Sequence, residues 1–201
     1  MSNTLVIIFH VVINVAILLV FLRFLMQLAA INMFNPVVAS TIKATKVIDI
    51  LNRTLPVIAK GRVNLAALIL LIILYLLKVW GLSHLQVGLD IFDVHYKNLA
   101  ASVDGLLLGT LMAITDGVVT FCRYLIFAAI IMSWVVMFTQ SRGPYTEAIQ
   151  DLAEPLFAPF RRIVPNMGMM DLSPLFAILT LLIIDIVMTE AIAPVVLSGL
   201  R

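Results

Sequence analysis

"GRVNLAALILLIILYLLK", residues 61–78, lines up without a gap on "GMMDLSPLFAILTLLIID", residues 168–185. The glycines coincide, Asn64 falls on Asp171, and an unbroken apolar run follows in both. Each run is long enough to cross a bilayer core, which needs roughly 20 apolar residues as helix. Upstream, "NPVVASTIKATKVIDILNRTLP" (35–56) matches "GPYTEAIQDLAEPLFAPFRRIVP" (143–165) with one residue deleted, and "RFL" (23–25) resembles "RYL" (123–125). Self-similarity of this kind marks a duplicated architecture. Each copy reads as a span, an amphipathic linker and a second span.

Composition agrees. The chain is 63% hydrophobic and 12% charged, whereas soluble domains are about half apolar and about a quarter charged. Four stretches are long enough to span: 4–33, 63–80, 106–139 and 172–196. The third contains Asp116–Gly117; it reads either as one long tilted helix or as a surface helix followed by a span from Val118, and one crossing is preferred. The N-terminal run has no positive leader and no small-residue cleavage site, so it reads as a retained span. The expected fold class is an all-α membrane protein: four transmembrane helices as two parallel span–amphipathic linker–span repeats. The first repeat covers 1–80 with its linker at 36–62, an outer-face connector covers 81–104, and the second repeat covers 105–201 with its linker at 140–171.

Two spans per copy put both linkers on one side. That side carries Lys43, Lys46, Arg53, Lys60, Arg62, Arg142, Arg161 and Arg162; the other carries Lys78, Lys97 and Arg201. The positive-inside rule then sets the linkers in the cytoplasm and both termini outside. In the second linker Tyr145, Ile149, Leu152, Leu156, Phe160 and Ile163 recur at helical spacing, as in an interfacial amphipathic helix. Pro155 and Pro159 each remove an N–H and crowd the preceding turn, so the helix is expected to kink or end near Glu154. Ser173 suits an N-cap with Pro174 at the first helical position. In the connector Leu85, Leu89, Phe92, Tyr96, Leu99 and Val103 are also at helical spacing, with Asp93 and Lys97 four apart; an interfacial helix is expected there.

Ser133, Trp134, Pro155, Leu156, Pro159, Arg161, Arg162, Pro165, Gly168, Asp171, Ser173 and Pro174 follow the pattern Ser-Trp, Pro-Leu-x-x-Pro-x-Arg-Arg-x-x-Pro, Gly-x-x-Asp-x-Ser-Pro. The pattern resembles that of the YggT/YlmG family. The first copy matches more loosely, through Arg23, Asn35, Pro36, Arg53 and Pro56. The resemblance implies a multi-pass protein of the bacterial inner membrane. It implies links to osmotic or ion stress, to envelope and division processes and, in plastid relatives, to cytochrome assembly, without a biochemical activity.

Ionisable groups inside spans are the first functional candidates. Arg23, Lys78, Arg123 and Asp185 form the candidate intramembrane charge cluster; Asp185 lies roughly 20 Å into its span. A single charge at a helix centre costs about 2.5–3.5 kcal/mol on insertion scales, so Asp185 is expected to be neutralised by Lys78, Arg123 or both. The pair either fixes packing or belongs to an ion or proton relay. Lys43, Lys46, Arg53, Arg161 and Arg162 are candidate lipid-headgroup contacts, each worth about 1 kcal/mol toward an anionic leaflet. His10, alone in the first span, reads as a packing residue. Cys122, the single cysteine, offers no disulfide framework. HExxH, GxSxG, Walker A and CxxC motifs are absent. The chain therefore reads as a non-enzymatic membrane scaffold with no cofactor. Its expected partners are anionic lipid and membrane or envelope proteins, with a homo-oligomer as an option. The competing reading is an oligomeric ion channel or transporter component. A small net charge of +2 gives no case for nucleic acid.

Overall fold

The computed structural model describes residues 3–31, 34–53, 57–58, 63–92, 94–97, 99–163 and 172–198. Pro165, Gly168 and Asp171 of the motif lie outside them, as do Pro56, Lys60, Arg62, Asp93 and Arg201. Helix α1 covers Asn3–Leu28, α2 Pro36–Ala44 and α3 Lys46–Leu51. Strands β1 (Val57–Ile58) and β2 (Val63–Asn64) pair antiparallel before α4, Leu65–His84. A second hairpin, β3 (Leu89–Ile91) with β4 (Val94–Tyr96), precedes α5 at Val103–Thr139. Helices α6 (Pro144–Arg161), α7 (Ser173–Val187) and α8 (Ala193–Ser198) follow, the last two joined by a π-helical turn at Met188–Ile192. Pro194 sits where the turn closes: without an N–H it cannot donate to the carbonyl four residues back, and the widened turn carries the helix past it.

Among the described residues four helices are long and apolar enough to cross a membrane, at Thr4–Leu28, Leu65–His84, Val103–Thr139 and Ser173–Leu197. The chain is a multi-pass membrane protein, because lipid leaves helices as the way for an open chain to satisfy its backbone. The third stretch is one helix. Its 37 residues extend about 55 Å, well beyond a hydrocarbon core of about 30 Å. Asp116–Gly117 does not break it. Gly117 faces α4, where a Cβ would overlap the Tyr75 hydroxyl, and Asp116 Oδ1 accepts from the Phe92 backbone N–H at 3.3 Å. The residues that look like an interruption are seats for neighbouring elements.

Three expectations are corrected. The connector is a β-hairpin, not a helix, and α4 runs on to His84 before it begins. Leu89 and Ile91 turn inward with Asp90 outward between them, a two-residue period; Phe92, at φ 49°, sits at the bend. The helical spacing of Leu89, Phe92, Tyr96 and Leu99 was compatible with either geometry, and burial decided: Ile91 and Phe92 are almost wholly enclosed in the core formed by α1, α4 and α5. Second, α6 does not end near Glu154 but continues through both prolines to Arg161. Pro155 and Pro159 are four apart on the exposed face, so the carbonyls they leave without an N–H partner remain open to the surroundings. Ala148, Leu152, Ala153 and Phe157 are buried on the side that meets α5 and α7, and this packing holds the helix together. Tyr145 and Ile163, expected on the buried stripe, are exposed; small Ala148 and Ala153 take their place and let the helices approach closely. Third, α7 starts at Ser173, with Leu172 rather than Ser173 as the flanking residue, and Pro174 occupies its first turn.

Two cores result. One joins α1, α4, the β3–β4 hairpin, the start of α5 and α8 around Ile13, Tyr75, Phe92 and Leu197. The other joins the end of α1, α2, α5, α6 and α7 around Met26, Ile126, Leu152 and Phe157. Gly117→Ala should force α4 and α5 apart and lower stability by about 1–3 kcal/mol. Thermal unfolding of the detergent-solubilised protein checks this, and adding Tyr75→Phe should recover part of the loss.

Candidate functional site

Helix α2 ends at Thr45, whose backbone (φ −112°, ψ 34°) leaves the helical region before α3 resumes. At the break the Ile42 carbonyl keeps the Thr45 N–H at 3.2 Å and the Thr45 carbonyl keeps the Ile48 N–H at 3.0 Å, each with a second lone pair open to a further donor. Arg23 reaches them from α1. Its Nη1 donates to the Thr45 carbonyl at 2.8 Å, to Thr45 Oγ1 at 3.0 Å and to the Ile42 carbonyl at 3.3 Å, while Nη2 pairs with Asp49 of α3. Thr45 Oγ1 in turn donates to the Thr41 carbonyl at 2.6 Å. The guanidinium is buried and Asp49 half exposed. Five donors in a rigid plane suit this task, which an ammonium cannot reproduce.

Arg123 and Asp185 form a second anchor. Nη1 lies 2.9 Å from Oδ2, joining α5 to α7 about 18 Å from the start of α7. Of the two candidate partners for Asp185, Arg123 is the one that pairs with it. Lys78 does not join them: its ammonium lies 5.8 Å from the centre of the Tyr75 ring, and among the described residues no carboxylate forms an ion pair with it. The four-residue cluster therefore separates into three sites.

At the end shared by the close of α1 and the start of α4, Asn64 is buried. Its Oδ1 caps α4 by accepting from Ala67 N–H at 3.1 Å, and its Nδ2 donates to Gln27 Oε1 at 3.0 Å. Asn35 plays a similar part in the linkers. Its Oδ1 accepts from Val37 N–H at 2.9 Å, and Nδ2 donates to the Pro144 carbonyl at 2.8 Å, tying the start of α2 to the start of α6. Helix α2 also packs on α6. Lys43, Lys46, Arg53, Arg142, Arg161 and Arg162 are all exposed. Arg161 is partly neutralised: Nη1 lies 2.6 Å from both oxygens of Glu154, and the guanidinium sits 5.9 Å from the Phe157 ring centre. Ser133 and Trp134 are exposed on the last turns of α5, while Ser173 is buried.

Asp49, Thr45, Asn35, Asn64 and Asp116 were not among the predicted site residues. Asn35 and Asn64 carried a signal, as polar residues directly before apolar helical runs. Asp49 carried none, since its partner is 26 positions away. His10 is exposed and accepts from Asn14 Nδ2 at 3.1 Å. No group of three His, Cys, Asp or Glu side chains suited to a metal occurs among the described residues.

The family model described as CCB3/YggT matches residues 108–192. The uncharacterized protein YggT of Escherichia coli (strain K12) is 32% identical over 191 residues, covering 94% of this chain and 92% of the relative. An uncharacterized protein of Vibrio alginolyticus is 34% identical over 181 residues (89% and 90%). The uncharacterized protein PA0392 of Pseudomonas aeruginosa is 29% identical over 177 residues (88% and 83%). No solved structure matches the chain.

Asp185→Asn should leave Arg123 without its counter-charge and lower the detergent melting temperature. Arg123→Gln should do the same. Combining them should cost less than the sum, with a coupling of about 0.5–3 kcal/mol in a double-mutant cycle. Lys78→Met combined with Asp185→Asn should be additive.

Proposed function

Since the chain belongs to the CCB3/YggT family, we propose that it is a non-enzymatic scaffold of the bacterial inner membrane, built as two parallel span–linker–span repeats. Its role is that of an envelope factor in osmotic or ion stress or in cell division. Helices α1, α2–α3 and α4 form the first repeat, and α5, α6 and α7 the second. The linkers face the cytoplasm, both termini face the periplasm, and the linker helices form the working surface.

The observation that carries this reading is the Asn35–Pro144 hydrogen bond, with α2 resting on α6. It joins two segments 109 positions apart into one platform. Exposed Lys43, Lys46 and Arg53 give the α2–α3 side a positive face for anionic lipid, worth about 1 kcal/mol per residue near the surface. Helix α6 differs. Its exposed Glu147, Asp151 and Glu154 offset Arg161 and Arg162, so its mixed charge suits a protein partner better than a phosphate-rich leaflet.

The second reading, an oligomeric ion channel or transporter component, rests on Arg123 and Asp185 within the spans. Their direct pairing favours a packing role, since each already supplies the other's counter-charge. Sodium, potassium or proton flux in proteoliposomes that disappears with Asp185→Asn would favour the channel.

Photo-crosslinking groups at Glu147 and Asp151 should capture a discrete membrane or envelope protein in cells, whereas groups at Ile7 should not. Reporter fusions within 140–143 should read as cytoplasmic and fusions after Arg201 as periplasmic. A periplasmic reading at 140–143 would overturn the orientation, and equal capture from both faces would overturn the platform.

A further inference from the structure

At the end of the bundle away from α6, a cavity of about 480 Å³ opens between the first turns of α1, the last turns of α4 and the β3–β4 hairpin. Its polar lining is Lys78, His10, Asn14, Asp90 and His95. These residues come from three elements brought together only by the fold. Lys78, half-buried, is the one intramembrane cation of the predicted cluster that pairs with no described carboxylate. Asp116 of α5 acts on it electrostatically without forming an ion pair, and the ammonium faces the cavity, where an anionic group of a ligand can pair with it directly. His10 and Asn14 are already oriented, one against the other, at 3.1 Å. His95 is held on the other side: its Nδ1 lies 2.7 Å from Asp90 Oδ1, and its ring covers Gly88, where a Cβ would collide with it.

The remaining wall is apolar and belongs to a span. Ile7 and Val11 line the cavity and are exposed on α1, so in a bilayer they meet acyl chains. A ligand filling this space therefore has a negative group for Lys78, a hydrocarbon part for α1 and a positive group for the exposed carboxylate of Asp90 at the rim. The volume suits a small polar headgroup.

We propose that this cavity holds the headgroup of an amine-bearing phospholipid, with its phosphate at Lys78 and its ammonium toward Asp90. The site is distinct from the basic platform of α2 and α3. It lies at the opposite end of the bundle and selects a zwitterionic headgroup rather than net negative charge. It does not depend on which side of the membrane the platform faces.

The full-length protein, reconstituted into vesicles of equal phosphatidylethanolamine and phosphatidylglycerol and re-extracted in mild detergent, tests this by native mass spectrometry. Wild type should retain about one phosphatidylethanolamine per chain. Lys78→Met should lower that retention by at least about fivefold. His95→Ala should lower it as well, Lys78→Arg should keep most of it, and Lys97→Met, on the same end but outside the cavity, should leave it unchanged. His95→Ala supplies the reading should Lys78→Met fail to elute as a single species. Equal retention by wild type and the cavity variants overturns the proposal, as does retention of phosphatidylglycerol in place of phosphatidylethanolamine. Stabilisation of lipid-stripped protein by millimolar inorganic phosphate, lost in Lys78→Met and with no lipid retained by wild type, would assign the cavity to a soluble phosphate and overturn it equally.

Discussion

A guanidinium in a membrane span must find partners or leave for water, and Arg23 finds them on the adjoining linker. The Ile42 and Thr45 carbonyls at the break each hold one backbone N–H and have a lone pair to spare; Arg23 donates to both and gains Asp49 as counter-charge. Two liabilities, a charge within α1 and a broken helix beside it, cancel each other. The consequence is positional. The α2–α3 segment is fastened to the span by a bidentate grip, so α2 stands where Asn35 can reach Pro144 and where α6 can rest.

The same rule sorts the other intramembrane charges. Arg123 has Asp185, and each is left only partly exposed by the contact. Asp116, in the first half of α5, receives the backbone N–H of Phe92, which lets a hairpin bend sit inside an apolar core without an unsatisfied donor. Lys78 is left facing a cavity in which the chain supplies two imidazoles, an amide and a carboxylate at the rim. Three cations within the spans thus have three different fates, and the difference lies in what the fold brings to each.

Much of this was legible in the residues, for physical reasons that can be named. The four spans follow from length and hydrophobicity, which no alternative packing can disguise. The single long α5 followed from the shortage of apolar residues for two crossings. Asp185's need for a cation followed from desolvation cost, although repeat alignment pointed equally to Lys78. The hairpin was hidden because Leu89, Phe92, Tyr96 and Leu99 satisfy a helical period while Leu89 and Ile91 satisfy a strand period; tertiary burial chose between them. The persistence of α6 through Pro155 and Pro159 was hidden because proline rules describe the local loss of a hydrogen bond, and packing of Leu152, Ala153 and Phe157 on two spans outweighs it. Asp49 was unreadable: a partner 26 positions away leaves no periodic trace.

Hydrogen exchange of Arg23→Gln against wild type, in lipid nanodiscs, addresses the fastening of linker to span most directly. If Arg23 holds the α2–α3 junction, amides of residues 42–52 lose their protection in the variant while those of α4 and α5 keep theirs. Unchanged exchange through 42–52 would mean that the junction stands without the guanidinium, and the account built on it would fail.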